Sequence, residues 1–242
     1  MNKRKENVPL TPLPIHISYP GLSTEDPEFP TDDALKQYWW HFYRILHDLR
    51  SLNPFDRYFQ VEVMSRFYTH KNLFAMWLGE HKRPTRVLEI GCRTGLSICA
   101  HMKFNPACTA VLIDPFTEMG SPDVVRGNLR SLHIPTDNVH FIVGYSKDVL
   151  PTLKEQFDYI LVDGSHVPAD VEFDLHEAER LLAPTGVMVF DDLSPTGSNL
   201  LPVWRKLRSD WEQREYMEPW EFAVAKNKVT RSYPLSPDFS PR

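Results

Sequence analysis

A turn bounded by two glycines follows the first apolar strand that the sequence predicts. The strand Arg86–Ile90 leads into Gly91-Cys92-Arg93-Thr94-Gly95, and a helix is predicted from Leu96 to Lys103. Glycine permits a sharp turn and a close backbone approach, and the free N–H groups of a helix start favour a carboxylate or a phosphate. The turn therefore predicts a ligand site at the end of the strand, where Glu89 is placed to receive a ligand's amino group.

Polar residues also follow the second and third predicted strands. Asp114 lies 25 residues after Glu89, and Ser146 follows Gly144-Tyr145 at the end of the third strand. An acidic residue at about this distance from a glycine turn is the usual partner of ribose hydroxyls. We expect Asp114 to bind a ribose and Ser146 to lie near an adenine edge. The alternative is that Glu89 and Asp114 only end their strands at the surface.

Three further carboxylates stand at the ends of the fourth and fifth predicted strands, at Asp163, Asp191 and Asp192. Neighbouring parallel strands bring their carboxyl ends together, and like charges at short range are costly. Mg²⁺ prefers such oxygen ligands, and it would orient an acceptor hydroxyl and lower its pKa. The alternatives are a solvated cluster without metal, or a single acid that positions the substrate.

His166 lies three residues after Asp163. Its ordinary pKa, near 6.5, suits a general base at neutral pH. It is equally consistent with a residue that caps the following helix or packs on an adenine.

Alternating strands and helices position these residues. The predicted strands are Arg86–Ile90, Ala110–Ile113, Val139–Val143, Tyr159–Val162, Val187–Phe190 and Glu221–Ala225. The predicted helices are Leu96–Lys103, Asp123–Leu132, Val149–Leu153, Asp170–Leu182 and Leu200–Trp211. Such alternation is typical of an α/β fold, a Rossmann-like doubly wound and mostly parallel sheet.

Four segments are predicted along the chain. A proline-rich arm covers residues 1–31, an aromatic helical cap 32–84, the sheet domain 85–226 and a tail 227–242. The cap is predicted to form one helix from Asp32 to about Ser51 and a second from Pro54 to Glu80. Along the first helix, one stripe is apolar and is expected to face the core; it comprises Leu35, Trp39, Phe42, Leu46 and Leu49. Most cap aromatics are expected in the core, although Trp40, Tyr43 and Tyr68 are candidates for an acceptor pocket or a homodimer interface.

Composition excludes several classes of protein. The net charge of −5 lacks the basic character of a dedicated nucleic-acid binder. The alternative of a nucleic-acid substrate depends on a local basic face formed by Arg205, Lys206, Arg208 and Arg214. The three cysteines, in no C-x-x-C pair, predict free thiols in a reducing cytoplasm. No apolar stretch is long enough to span a bilayer.

Four segments together resemble class I S-adenosylmethionine-dependent methyltransferases, and above all their catechol-type and antibiotic sugar O-methyltransferase branch. They are Val87–Gly95, the Ile113-Asp114 strand end, Phe157–His166 and Leu182–Asp192. The missing G-x-G-x-x-G spacing argues against a nicotinamide enzyme. The resemblance implies a class I methyltransferase fold that binds S-adenosylmethionine.

The resemblance also assigns site residues. Glu89 would contact the methionine moiety, and Asp114 would bind the ribose. The turn from Gly91 to Gly95 would line the methionine and the sugar. This turn has Arg93 where many members have glycine. Asp163, Asp191 and Asp192 would hold a divalent metal. Where some relatives carry an acidic base, this chain has Ser165, and His166 comes next. The implied activity is methylation of a small-molecule acceptor at a hydroxyl, with or without Mg²⁺. The alternatives are a metal-free N- or C-methyltransferase and a non-catalytic nucleoside-binding protein.

Overall fold

The computed structural model describes residues 29–52, 70–118, 120–193, 200–207, 211–216 and 222–226. Nearly all of the predicted N-terminal arm, most of the second cap helix and the C-terminal tail lie outside these residues.

One sheet organises the described chain. Its strands are β1 (Arg86–Ile90), β2 (Thr109–Asp114), β3 (Val139–Val143), β4 (Phe157–Val162), β5 (Leu182–Phe190), β6 (Glu212–Tyr216) and β7 (Phe222–Lys226). Their order is β3-β2-β1-β4-β5-β7-β6. The first five are parallel to one another, and β7 runs antiparallel to both β5 and β6. The predicted doubly wound, mostly parallel sheet is confirmed.

Helices cover both faces of the sheet. They are α1 (Asp32–Lys36), α2 (Trp39–Leu52), α3 (His70–His81), α4 (Leu96–Phe104), α5 (Pro122–Ser131), α6 (Ser146–Val149), α7 (Pro168–Leu181) and α8 (Leu201–Leu207). A 3₁₀ turn, Leu150–Thr152, continues α6.

Alternate residues of each central strand face opposite cores, because successive side chains of a strand point to opposite sides. Leu112, Leu161 and Val189 pack into the core under α1 to α5. Ile160 and Met188 pack into the core under α6 to α8. The cap helices α1 to α3 thus share a core with the sheet.

The crevice of the fold opens where β1 and β4 are neighbours, since the helices that follow these strands cover opposite faces. This is the topological switch point at which open α/β sheets bind ligands. The strand ends are aligned there by backbone hydrogen bonds from Asp163 N–H to the Ile90 carbonyl (2.9 Å) and from Asp191 N–H to the Val162 carbonyl (3.2 Å).

Three sequence predictions differ from the structure. The cap helix breaks at Gln37-Tyr38, which shifts its phase, so Tyr38 and Ile45 are buried while Trp39 is 44% exposed. The predicted last helix, Leu200–Trp211, is described only as α8. Strand β6 was not predicted because its sequence, Glu-Gln-Arg-Glu-Tyr, has no apolar alternation, which an edge strand does not need.

None of the helices in the described part of the chain is both long and apolar enough to cross a membrane. The three cysteines are free and buried, as predicted.

Candidate functional site

The glycine turn brings the ends of three strands together. Gly91 has φ +84°, and its N–H donates to the Ile113 carbonyl at 2.8 Å. A Cβ at Gly91 would lie 2.1 Å from the Asp163 carbonyl oxygen, so no other residue fits without a backbone shift. Gly95 also has a positive φ, +77°, and its Cβ would collide with Val125. Both positions therefore require glycine, and the predicted close approach of the Gly95 backbone to a ligand stays a prediction.

Asp114 holds the turn from the neighbouring strand. Its carboxylate accepts hydrogen bonds from the backbone N–H of Arg93 (2.8 Å) and of Phe116 (2.6 Å). Only 6% of Asp114 is exposed, yet it lines the cavity in front of the sheet. A carboxylate oxygen has more than one lone pair, so these bonds leave acceptor capacity for ribose hydroxyls.

The cavity has a volume of about 660 Å³, within the range of small-molecule sites. Most predicted site residues line it, namely Gly91, Arg93, Asp114, Ser146, Asp163, His166 and Asp192. Glu89, Gly95 and Asp191 are not part of its lining. The structure therefore brings two groups into one cavity: the residues predicted to bind a nucleoside, and the strand-end residues predicted to act on an acceptor.

Glu89 lies behind the turn, with only 2% of its surface exposed. Burial raises the pKa of its carboxyl well above the ordinary value, and the negative charge of Asp163 adds to the rise. In this position Glu89 supports the turn from within, and its predicted contact with a ligand's amino group stays a prediction.

Sequence reasoning missed Asp174, which lines the same cavity from α7. It is 1% exposed, and neither carboxylate oxygen has a hydrogen-bond partner of good geometry among the described residues. Burial raises its pKa to about 6, although the nearby Ser146 hydroxyl opposes the rise. Asp174 occupies the apolar stripe of α7, three residues after Val171 and four before Ala178. An acid on such a stripe was the signal available in the sequence.

The three aspartates converge as predicted. One carboxylate oxygen from each lies within 4.8 Å of the other two. Lys71 of α3, a second residue that sequence reasoning missed, donates hydrogen bonds to Asp163 Oδ2 and to Asp191 Oδ2. The only feature of the sequence that pointed to Lys71 was its place at the start of a helix, just before the apolar run Leu73 to Leu78.

The charges of this cluster depend on one another. Burial alone would lower the pKa of Lys71, but the adjacent charges of Asp163 and Asp191 outweigh it and raise that pKa well above the ordinary value. Burial raises the pKa of Asp191. An ammonium of this kind is held in its charged form by its carboxylate partners.

His166 pairs with the third aspartate. Its Nε2 lies 2.7 Å from Asp192 Oδ2, and the side chain, 58% exposed, lines the cavity. The hydrogen bond to Asp192 raises the pKa of His166. The loop between them is held by Ser165, which accepts from Val167 N–H and donates to Asp170. Helix α7 begins after Val167 without a side-chain cap, so His166 is not the capping residue that one alternative required.

The residues present do not fit a resident Mg²⁺ at the three aspartates. A Mg²⁺ ion among these carboxylates would lie beside the buried ammonium of Lys71, and the two positive charges would repel each other. Lys71 already binds oxygens of Asp163 and Asp191, and His166 binds Asp192. The converging carboxylates were predicted correctly, but the cations beside them come from the protein.

The predicted basic face is largely neutralised within the chain. Arg205 pairs with Glu215, Lys206 with Glu172 and Arg214 with Asp32. Arg208 lies outside the described residues. Trp40 and Tyr43 are exposed and stack on each other away from the cavity lining, and Tyr68 is outside the described residues.

Comparison with known proteins shows similarity to methyltransferases. Residues 88–193 match a family model described as a methyltransferase domain. An O-methyltransferase, hkm8 of Aspergillus hancockii, is 29% identical over 110 residues, which cover 46% of this chain and 43% of that protein. Uncharacterized protein R132 of Acanthamoeba polyphaga mimivirus is 27% identical over 144 residues, which cover 57% of this chain and 65% of that protein. The chain thus spans less than two thirds of the length of each of these curated relatives.

A solved structure shares the fold. The O-methyltransferase TomG of Streptomyces achromogenes, involved in tomaymycin synthesis and solved in complex with S-adenosylmethionine, superposes with a TM-score of 0.56. It is 21% identical, over 82% of this chain and 91% of that chain. The family match runs from β1 to the end of β5, less than half of the chain, and the superposition on TomG shows a shared fold.

Proposed function

We propose that this chain binds S-adenosylmethionine at the switch point and methylates a hydroxyl group of a small-molecule acceptor. One observation carries the proposal. A single cavity has on its wall both the glycine turn with Asp114 and the pair His166–Asp192.

The cofactor fits the donor set of this cavity. The Gly91 turn packs against the Asp163 carbonyl with no room for a Cβ and forms part of the cavity wall, and Asp114 keeps acceptor capacity for ribose hydroxyls. The buried carboxyl of Asp174 beside Ser146 has no other partner of good geometry in the described chain, and it suits the exocyclic amino group of adenine. Arg93 lines the same wall beside the turn.

When bound, S-adenosylmethionine supplies a methyl group on a sulfonium, already a strong electrophile. The protein's task is to align the acceptor, to exclude water and to remove one proton. With Nε2 of His166 donating to Asp192, Nδ1 could accept the proton of the acceptor hydroxyl. The bound cofactor would supply the methyl group to the hydroxyl oxygen and leave as the neutral thioether S-adenosylhomocysteine. Asp192 orients the ring and stabilises the imidazolium, in the manner of a catalytic triad.

The test measures binding and turnover separately. Calorimetric titration with S-adenosylmethionine and S-adenosylhomocysteine should show one site per chain, lost in Asp114→Ala. Transfer of labelled methyl is then measured to a panel of phenols, sugars, carboxylates and amines, and to bulk tRNA.

Methylation of hydroxyl compounds that falls in His166→Gln supports the proposal. His176→Gln is the matched control, because His176 is exposed on α7. Transfer only to amines or to tRNA would replace the acceptor class, and absence of cofactor binding would refute the proposal.

A further inference from the structure

Lys71 is an unusual residue for its position. It lies at the start of α3, and only 5% of its surface is exposed. Burying an ammonium is costly unless it is paired and hydrogen-bonded. Here the cost is offset by Asp163 at the end of β4 and Asp191 at the end of β5, both of which accept from Nζ.

The Lys71 ammonium lies at the position where the three carboxylates would otherwise need a bound cation. Three carboxylate oxygens lie within 4.8 Å of one another, and without compensation their charges would repel strongly. Lys71 engages two of them and His166 the third. A dication that entered this cluster would lie close to the buried Lys71 ammonium, and the repulsion between the two positive charges would weaken its binding.

We propose that Lys71 permanently replaces a divalent metal in this site, so that methyl transfer by this chain is metal-independent. Only the catalytic part of this proposal rests on the proposed function. Lys71 is a positioning residue: it acts through Asp163, whose carboxylate lines the cavity and whose carbonyl packs against the Gly91 turn.

The same contact ties the cap to the cofactor site. Helix α3 belongs to the cap, whereas both acceptors of Lys71 belong to the sheet. The side chain of Lys71, which comes from α3, therefore holds the ends of β4 and β5 in place. A metal could be lost by chelation, but a lysine on a packed helix stays in place.

The experiment titrates Mn²⁺ into the full chain and follows binding by electron paramagnetic resonance, with no cofactor, acceptor or turnover needed. Wild type should show no stoichiometric site. Lys71→Met should gain one site per chain, with an affinity at least about a hundredfold above any residual Mn²⁺ binding by wild type, because a buried repelling charge is removed. The gained site should disappear in Lys71→Met/Asp191→Asn. Lys147→Met, which removes an exposed lysine of the cavity wall, should behave as wild type.

Two results would overturn the proposal. One is a stoichiometric Mn²⁺ site in wild type that Asp191→Asn removes. The other is a folded Lys71→Met, verified by circular dichroism, that gains no site. If Lys71→Met does not fold, the wild-type titration decides alone. Full methyl transfer by wild type after exhaustive EDTA dialysis supports the catalytic part, and loss of transfer that Mg²⁺ restores would refute it. Because Mn²⁺ binding is read without turnover, failure of the proposed function leaves this test intact.

Discussion

Replacing Asp174 with asparagine should stabilise the ligand-free chain at neutral pH and weaken cofactor binding. Asp174 is 1% exposed, with both carboxylate oxygens lacking a partner of good geometry in the described residues. Burial raises its pKa from the ordinary 3.8 to about 6. Asparagine has nearly the same shape and carries no charge, so it avoids the cost of a buried carboxylate.

The magnitude follows from the pKa. Each tenfold change in proton affinity corresponds to about 1.4 kcal/mol, so the ionised Asp174 costs at most about 3 kcal/mol at pH 7. A folded-state pKa above the unfolded value means that stability is fully present below the unfolded pKa and is lost as pH rises through about 6. The advantage of Asp174→Asn should therefore be small near pH 4 and complete above about pH 7. For a chain of this size it corresponds to a rise in Tm of about 5–10 °C.

Thermal unfolding followed by circular dichroism from about pH 4.5 to 7.5 measures this difference. Asp137→Asn is the matched control, an exposed carboxyl outside the cavity lining. Calorimetry with S-adenosylhomocysteine and with its inosine analogue, which lacks the 6-amino group, measures the second effect. The variant should lose affinity for the adenine compound and change little toward the analogue. A Tm difference independent of pH, or a variant less stable than wild type at pH 7, would refute the account of Asp174.

Three further predictions concern the turn and the base. Gly91→Ala should abolish cofactor binding in calorimetry, because its Cβ would lie 2.1 Å from the Asp163 carbonyl oxygen at a φ of +84°; retained affinity would contradict this. His166→Gln should lower kcat by about 10²–10⁴-fold with little change in cofactor affinity, as removal of a general base does, and His176→Gln should not; an unchanged kcat would exclude His166 as the base. Since the hydrogen bond to Asp192 raises the pKa of His166, activity should rise with pH through a limb above 6.5. Asp192→Asn should move that limb of the pH profile to lower pH. A limb that does not move would show that Asp192 does not set the pKa of the base.

Local patterns were sufficient to predict the carboxyl-end residues. Gly91, Asp114 and Ser146 each follow a short apolar strand, and parallel strands place their ends at one edge of a sheet whatever the loops between them do. Their convergence on one cavity was therefore predictable from spacing alone. Edge strand β6 could not be predicted in this way. Its polar sequence has no apolar alternation, and the strand is stabilised by pairing with β7.

The charge balance of the site depended on tertiary structure. Lys71 and Asp163 are 92 positions apart, and their contact forms only when α3 packs over the ends of β4 and β5. The sequence alone predicted three converging carboxylates and left metal or solvent as their counter-charge, while the folded chain supplies a lysine from the cap. Asp174 is similar: its helix was predictable, but the surroundings of its buried carboxylate depend on how α7 packs against the described elements. By itself the sequence determined the fold class, the glycine turn and the order of polar strand ends, since these follow from periodicity and backbone sterics. Only the tertiary structure decided which charges neutralise one another, because that depends on distances between elements far apart along the chain.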